Sequence, residues 1–333
     1  MEGVTTGLVA VVVLAVVFDY VNGFHDTANA IATSVATRAL HPLAAVLMAA
    51  FFNFVGAFAG TAVAKTIGAG LVDETTTTQA VIIAALLGAI AWDLITWRMG
   101  LPSSSSHALI GGLLGATLIA AGFDAFKVDG IVNKVLIPMF SSPIIGFAGG
   151  FLLMLALYWA FFHAQHRRVS RRFRRIQVFS AAYMAFSHGS NDAQKTMGVI
   201  TLALFSAGVI DEIAVPTWVI IVAATALSLG TAVGGWRIMR TLGHRVARLE
   251  PVHGFAAETT AATVILGAAS LGIPVSTTHV ISSSIIGVGS ARGPRGVRWG
   301  VAQDILIAWI LTIPASGAIA AGCWVILNGL GVS

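Results

Sequence analysis

Long apolar runs alternate with short polar connections along the chain. The first run, residues 4–18, lacks the charged start and the small-residue cleavage site of a signal peptide and passes directly into patterned polar sequence. We therefore expect it to remain as the first membrane span. Because a span takes about 20 residues, the whole pattern predicts about ten crossings, some of which can be re-entrant hairpins.

The charged connections indicate how the spans are oriented. Short basic connections beside apolar spans stay in the cytoplasm. Arginine-rich connections of this kind lie at 167–175, 237–248 and 292–298. Acidic connections, which we expect on the outside, lie at 73–78, 124–129 and 211–212. The alternation predicts two halves, residues 1–162 and 178–333, joined by a cytoplasmic basic loop at 163–177.

The composition indicates a lipid rather than an aqueous environment for this protein. Of the 333 residues, 57% are hydrophobic and 10% are charged, whereas a soluble domain carries about 25% charged residues. We expect a multi-pass protein of the cell membrane, in contact with the lipid bilayer. The net charge of +5 would suit nucleic acid, but the basic residues lie beside spans, so we expect no nucleic-acid partner.

The two halves share an internal repeat. Three segments recur in the same order at offsets of 166 to 172 residues: 23–29 at 189–195, 60–63 at 230–233, and 100–109 at 272–281. An odd number of crossings in each half makes the halves inverted. Inverted repeats with broken helices are typical of secondary transporters. The predicted fold is an all-α polytopic membrane protein of two inverted repeats, each with about five spans and broken helices or re-entrant hairpins.

Polar residues interrupt an apolar run at the same place in each half. Asp26 and Asn29 are three residues apart, on one face of a helix, and Asp192 and Lys195 repeat this spacing. An ionisable side chain inside the bilayer costs about 2.5–3.5 kcal/mol on insertion scales and indicates function. The alternative is that these residues only join helices together. Two copies favour the functional interpretation.

A proline followed by hydroxyl residues is the second repeated motif. Pro102 and Pro274 suit the start of a helix, and the hydroxyls after them can cap its first turn. Helix N-termini bind anions through free N–H groups and the positive end of the dipole. Two copies would converge on one central anion. A polar turn between spans is the alternative for either copy alone.

Other titratable residues have weaker support. His107 and His279 end the hydroxyl motifs, where a capping or positioning role is favoured over titration. His25 and His188 have no counterpart at the matching offset. Glu258 lies in an apolar stretch, either as a proton carrier or at the entry of a helix near a loop.

On these motifs the sequence resembles the inorganic phosphate transporter (PiT) family, over nearly the whole chain. Residues 22–29 and 187–195 are similar to the bacterial low-affinity branch, which is associated with proton-coupled uptake of neutral metal–phosphate complexes. The resemblance also implies re-entrant hairpins and a homodimer. Sodium-coupled members usually carry asparagine at both third positions, but Lys195 stands opposite Asn29 here. We therefore favour protons over sodium.

The predicted function is secondary active import of inorganic phosphate by cation symport, without a cofactor or an enzymatic step. The membrane potential opposes anion entry by about 2.3 kcal/mol per charge per 100 mV, so protons, sodium, or Mg²⁺ or another divalent metal must accompany phosphate. No residue is a certain metal ligand. The predicted phosphate-binding residues are Ser104, Ser105, Ser106, Ser276, Thr277 and Thr278. The predicted coupling residues are Asp26, Asn29, Asn191, Asp192 and Lys195.

Three other functions remain open from the sequence. A sulfate permease would use the same hydroxyls and helix ends, but its uptake would depend less on pH. An intramembrane enzyme with a His25–Asp26 dyad would turn over without a gradient and leaves the second motif copy unexplained. A passive anion channel would never exceed equilibrium.

Overall fold

The first half of the chain is helical. The computed structural model describes residues 6–74 and 76–331. The helices of the first half are α1 (Thr6–Ala36), α2 (Pro42–Gly56), α3 (Ala62–Ala69), α4 (Gln79–Met99), α5 (Ser105–Ala121), α6 (Val128–Ile131) and α7 (Ile137–Ala160). A π-helical turn, Val132–Leu136, joins α6 to α7.

The second half repeats this order of elements. Each half has a long helix, a broken helix, a long helix, a shorter helix after the proline motif and a final long helix. The helices of the second half are α8 (His166–Ser206), α9 (Thr217–Val233), α10 (Trp236–Arg240), α11 (Pro251–Ser270), α12 (Thr277–Ser290) and α13 (Trp299–Gly329). A π-helical turn, Thr241–Arg245, extends α10.

Several helices are long and apolar enough to cross a membrane. Among the described residues there are four by length and composition: α1, α4, the continuous helix Val128–Ala160, and α13. The α9 helix and Trp236–Arg245, bent by 58° at their break, would make a fifth. The other apolar helices include the shorter α2 and α5. This is a membrane protein whose spans are mixed with short and broken helices.

The connections of the two halves match in detail. Gly100 and Gly272 both end a turn in the left-handed region, with φ of +69° and +66°, where glycine has no steric penalty. In each half the residue after the glycine donates a main-chain hydrogen bond back to the preceding helix. The Leu101 N–H donates to the Thr96 carbonyl (3.0 Å), and the Ile273 N–H donates to the Ala268 carbonyl (2.9 Å). Two isolated antiparallel bridges also correspond: Val72 with Phe126, and Ala247 with Val297.

The equivalent helices α1 and α8 run antiparallel. Thr37, at the end of α1, donates to Gln177 near the start of α8 at 2.7 Å. Asp19, in the first half of α1, lies beside Thr196 in the second half of α8. Residue numbers therefore rise along one helix as they fall along the other, as inverted halves require.

One of the three sequence matches is not a structural one. Gly60 lies in the break between α2 and α3, whereas Gly230 lies inside α9. A Cβ on Gly230 would be 2.1 Å from the carbonyl oxygen of Tyr20, and one on Gly56 would be 2.2 Å from that of Phe186. Tyr20 and Phe186 are counterparts at the 166-residue offset, so the partner of Gly230 is Gly56. The identical letters at 60–63 and 230–233 are displaced by about one helical turn.

The basic segment expected as a loop at 163–177 is helical from His166 onward. Arginine is a good helix former, and neither proline nor glycine interrupts the segment. Phe173 fixes it by packing against Phe161 and Phe255, with ring centroids 5.4 and 5.3 Å apart. The loop prediction was therefore wrong, since charge alone does not distinguish a loop from a solvated helix.

Candidate functional site

The two proline motifs end at helix N-termini that lie side by side. The Ser104 side chain caps α5 by accepting from the backbone N–H of His107 at 3.2 Å, and Ser276 caps α12 by accepting from that of His279 at 3.1 Å. The rings of His107 and His279 meet edge to face, with centroids 4.6 Å apart. Two positive helix ends therefore face one small region.

Each half of the site is completed by the other half of the chain. The Asn29 amide in α1 donates to Thr278 at 2.9 Å, and Lys195 in α8 donates to Ser106. Asn29 and Lys195 are counterparts in the repeat, and so are Ser106 and Thr278. The polar helix of one half thus binds the hydroxyl motif of the other half.

Asp192 is fully buried and surrounded by donors. Lys195 forms an ion pair with it, and His188 Nε2 lies 2.9 Å from its Oδ2 atom. Thr277 donates to Oδ2 at 3.1 Å, and Asn191 donates to Oδ1 at 3.0 Å. A buried ion pair is stable only when further hydrogen bonds surround it. This cluster meets that condition.

Asp26 has a simpler environment. His25 Nδ1 lies 2.6 Å from Asp26 Oδ1, and His25 Nε2 lies 3.1 Å from Thr96 Oγ1. Neither His25 nor His188 has a counterpart at the matching offset in the sequence, yet each contacts the aspartate of its own half. His25 precedes its aspartate by one residue and His188 by four, so a search at a fixed offset does not match them.

Asn53 was not identified from the sequence, and it positions His188. The Asn53 amide donates to Thr231 Oγ1 at 2.8 Å, which turns its oxygen toward His188 Nδ1 at 3.1 Å. The oxygen accepts the Nδ1 proton, so Nε2 faces Asp192 as a donor only when the His188 ring is protonated on both nitrogens. A buried asparagine in an apolar helix was the only signal in the sequence.

Polar atoms without a hydrogen-bond partner gather at this junction. Over the described part of the chain, these include Ser105 Oγ, Asn29 Oδ1, Asn191 Oδ1 and both ring nitrogens of His279. Buried polar atoms are normally paired, so a group of unpaired ones requires an explanation. The Ser105 hydroxyl and one N–H of the His279 ring can donate to the oxygens of an anion, whereas the two amide oxygens can only accept, from a proton or a cation that accompanies it.

Asp26, His188 and Asp192 could also hold a metal ion. One ligand atom from each lies within 4.8 Å of the others, and carboxylate and imidazole suit a divalent transition metal. Lys195 already pairs with Asp192. A divalent ion would therefore bind there only if the ammonium moved away.

Glu258 lies apart from this junction, fully buried where α1, α8 and α11 meet. It accepts from Thr33 at 2.5 Å, from Gln177 at 3.0 Å, and from Ser180. Three donors from two other helices compensate a negative charge, so in this structure Glu258 joins the three helices.

A model of the phosphate transporter family matches residues 22–320, which include every site residue described above. The chain belongs to the phosphate transporter family. It is 48% identical over 323 residues to the probable low-affinity inorganic phosphate transporter of Bacillus subtilis, covering 96% of this chain and 97% of the relative. It is 49% identical over 319 residues to a protein of the same description from Rhizobium meliloti, covering 95% of each.

A solved structure described as the sodium-dependent phosphate transporter has a similar fold. The TM-score is 0.85 at 27% identity, over 97% of this chain and 99% of that one. The resemblance to the PiT family is thus confirmed. The protein is a membrane transporter of a family whose substrate is phosphate, and it is not an enzyme. The alternative of an intramembrane enzyme with a His25–Asp26 dyad was therefore wrong.

Proposed function

We propose that this phosphate transporter imports inorganic phosphate by proton symport and binds it where the N-termini of α5 and α12 meet. The observation that carries the proposal is the crossed pairing of Asn29 with Thr278 and of Lys195 with Ser106. It brings two helix N-termini and a fixed positive charge to one buried place. A phosphate there gains charge-assisted hydrogen bonds without contact with water.

The predicted phosphate-binding hydroxyls have two different roles. Ser104 and Ser276 are used as helix caps. Ser105, Ser106, Thr277 and Thr278 are then the hydroxyls that turn toward phosphate oxygens, with Ser105 Oγ already free of other bonds in the described structure. His107 and His279 border the same place as positioning residues.

The charge at Lys195 supports protons over sodium. In the first half the corresponding residue is the neutral Asn29, whose amide oxygen could coordinate a sodium ion. In the second half an ammonium already pairs with Asp192, and a second cation beside it would be repelled. Asp26 with His25, and Asp192 with Asn191 and Lys195, would then hold positive charge beside the anion.

Sodium symport is the second candidate, because the similar solved structure is described as sodium-dependent. Co-transport of Mg²⁺ or another divalent metal with phosphate is a further variant. It would use Asp26, His188 and Asp192, whose ligand atoms are already close together. In that variant Lys195 would leave Asp192 and pair with the phosphate.

Alternating access would come from one set of helices moving against the other. The antiparallel arrangement of α1 and α8 and the matched turns support two inverted repeats. A homodimer in the cell membrane stays a prediction of the family resemblance.

The test is uptake of labelled phosphate into proteoliposomes, with a proton gradient and a sodium gradient imposed separately, each with and without Mg²⁺. The proposal expects concentrative uptake with the proton gradient alone. Asp192→Asn should abolish it, whereas Asp211→Asn, which neutralises an exposed aspartate, should not. Uptake that requires sodium would overturn proton coupling, and an excess of sulfate that abolishes uptake would overturn phosphate selectivity.

A further inference from the structure

Asp19 is a buried carboxylate that the phosphate site does not use. It lies in α1 about 10 Å before Asp26, since the two residues are seven positions apart and each position adds about 1.5 Å. Its exposed fraction is 0%. Neither of its oxygens has a hydrogen-bond partner of normal geometry within residues 6–74 and 76–331. It also precedes the segment that the family model matches, residues 22–320.

Two further oxygens without a partner lie beside it. Asn22 and Thr196 are the side chains within reach of the Asp19 carboxyl group. Asn22 Oδ1 and Thr196 Oγ1 are themselves buried and unpaired among the described residues. An amide oxygen only accepts hydrogen bonds, and so does an ionised carboxylate. The Thr196 hydroxyl and the Asn22 amide N–H can donate to an ionised Asp19, and a protonated Asp19 can in turn donate to the Asn22 oxygen.

The other buried acids of this region differ from Asp19 in having compensating groups. Asp192 has Lys195, and Glu258 accepts three hydrogen bonds. Asp93 also lacks a hydrogen-bond partner in the described structure, but it lies in the field of His25. A carboxylate without a donor or a cation is strongly disfavoured in the bilayer interior. Asp19 is therefore the group most in need of a proton.

The charged groups that face Asp19 come from α8, and the repulsion by Asp192 exceeds the attraction by Lys195. They are Asp192 and Lys195, which pair with each other. The helices α2 and α9, which also pack on α1, contain no ionisable residue. On α4 the buried charge is Asp93, beside His25 and Asp26.

The remaining ionisable groups that pack on α1 lie along its later half. The α10 segment and the turn after it contact α1 from residue 24 onward, and α11 reaches it through Glu258 at Thr33. The two histidines of α5 and α12 belong to the phosphate site. None of these groups supplies a positive charge to Asp19.

We propose that Asp19 is the residue that carries the coupling proton, with Asn22 and Thr196 as its hydrogen-bond partners. This inference rests on the proposed proton symport. With its proton, Asp19 is neutral and Lys195 stays on Asp192 and Ser106. When the proton leaves, the new negative charge competes for Lys195. Loss of the proton thereby weakens the contact of Lys195 with the phosphate-binding motif.

The test is Asp19→Asn, which mimics a permanently protonated side chain. In proteoliposomes without a gradient, exchange of labelled for unlabelled phosphate should stay within about twofold of the wild type, equal to about 0.4 kcal/mol in barrier. Under a gradient of one pH unit, each coupled proton multiplies the accumulation ratio by about ten. The ratio should therefore fall about tenfold, and a pH-sensitive dye inside the vesicles should no longer report proton entry with phosphate.

Two control variants keep the test decisive. Asp19→Glu retains a titratable carboxyl group and should restore accumulation. Asp124→Asn makes the same chemical change at an exposed site and should behave as the wild type.

Each of three outcomes would overturn the inference. Accumulation by Asp19→Asn equal to the wild type removes Asp19 from coupling. Loss of exchange as well as accumulation in Asp19→Asn, with Asp19→Glu fully active, makes Asp19 part of phosphate binding. If Asp19→Asn removes only a stimulation of uptake by sodium and leaves proton-driven accumulation intact, Asp19 is a sodium ligand. Failure of the wild type to accumulate phosphate with protons would instead refute the proposed function itself, since the wild type contains Asp19.

Discussion

The ammonium group of Lys195 donates a hydrogen bond to the hydroxyl of Ser106, 89 residues earlier in the chain. Its counterpart Asn29 donates to Thr278, 249 residues later. The two contacts join equivalent positions of the repeat, but the donor is a charged ammonium in one and a neutral amide in the other. The site is therefore built between the halves, and the charge difference gives its two sides different chemistry.

The first prediction concerns this charge. Lys195→Met leaves Asp192 charged and without its main partner, and breaking one side of a buried pair costs about 3–5 kcal/mol. We expect lower stability in detergent, measured by thermal unfolding, and a loss of phosphate uptake. Lys65→Met is the matched control, because Lys65 is exposed on α3.

The double variant Lys195→Met with Asp192→Leu separates stability from function. Removing both charges should recover much of the stability, because no unpaired charge remains. Uptake should stay absent. Recovery of uptake would show that neither charge takes part in transport.

The second prediction separates capping from phosphate binding at Ser276. Aspartate caps a helix as well as serine does, so Ser276→Asp should keep the N-cap of α12, although burial of the new charge should lower the stability. Its charge would repel phosphate, and uptake should fall by at least about tenfold, equal to about 1.4 kcal/mol. Thr78→Asp makes the same change at the exposed N-cap of α4 and should leave uptake unchanged. Equal uptake in both variants would place phosphate elsewhere.

The third prediction concerns the close packing of α8 on α2. A Cβ on Gly189 would be 2.2 Å from the carbonyl oxygen of Asn53, so Gly189→Ala must displace Asn53 and loosen His188. We expect a loss of about 1–3 kcal/mol in stability and reduced uptake. Gly267→Ala, in a helix with open space around the new Cβ, should be neutral or stabilising by up to about 1 kcal/mol.

The fourth prediction tests the inverted relation of the halves. Asp124 and Arg295 lie in equivalent connections, each next to one of the two matching bridges. In a Cys323→Ala background, Asp124→Cys should react with a membrane-impermeant maleimide from outside. Arg295→Cys should react only after permeabilisation. Labelling of both from the same side contradicts inversion.

Much of this protein could be predicted from the sequence because the signals are local. Long apolar runs indicate that the chain lies in a lipid bilayer. A proline followed by hydroxyl residues starts a capped helix in both halves, as at Ser104 and Ser276. The repeat then doubled each weak signal. The same local basis explains the errors, since identical letters at Gly60 and Gly230 lie in different surroundings.

Contacts between distant segments were decided only by the tertiary structure. Sequence spacing did not show that His25 and His188 each contact an aspartate, or that Asn53 orients His188. Nor did it show that Asp19 accepts no hydrogen bond in the described structure while Glu258 accepts three. The free energy of a buried polar group depends on the neighbours that other helices bring to it. The sequence determined which polar residues enter the membrane, and the packing of α1, α8 and α11 decided which of them need a proton.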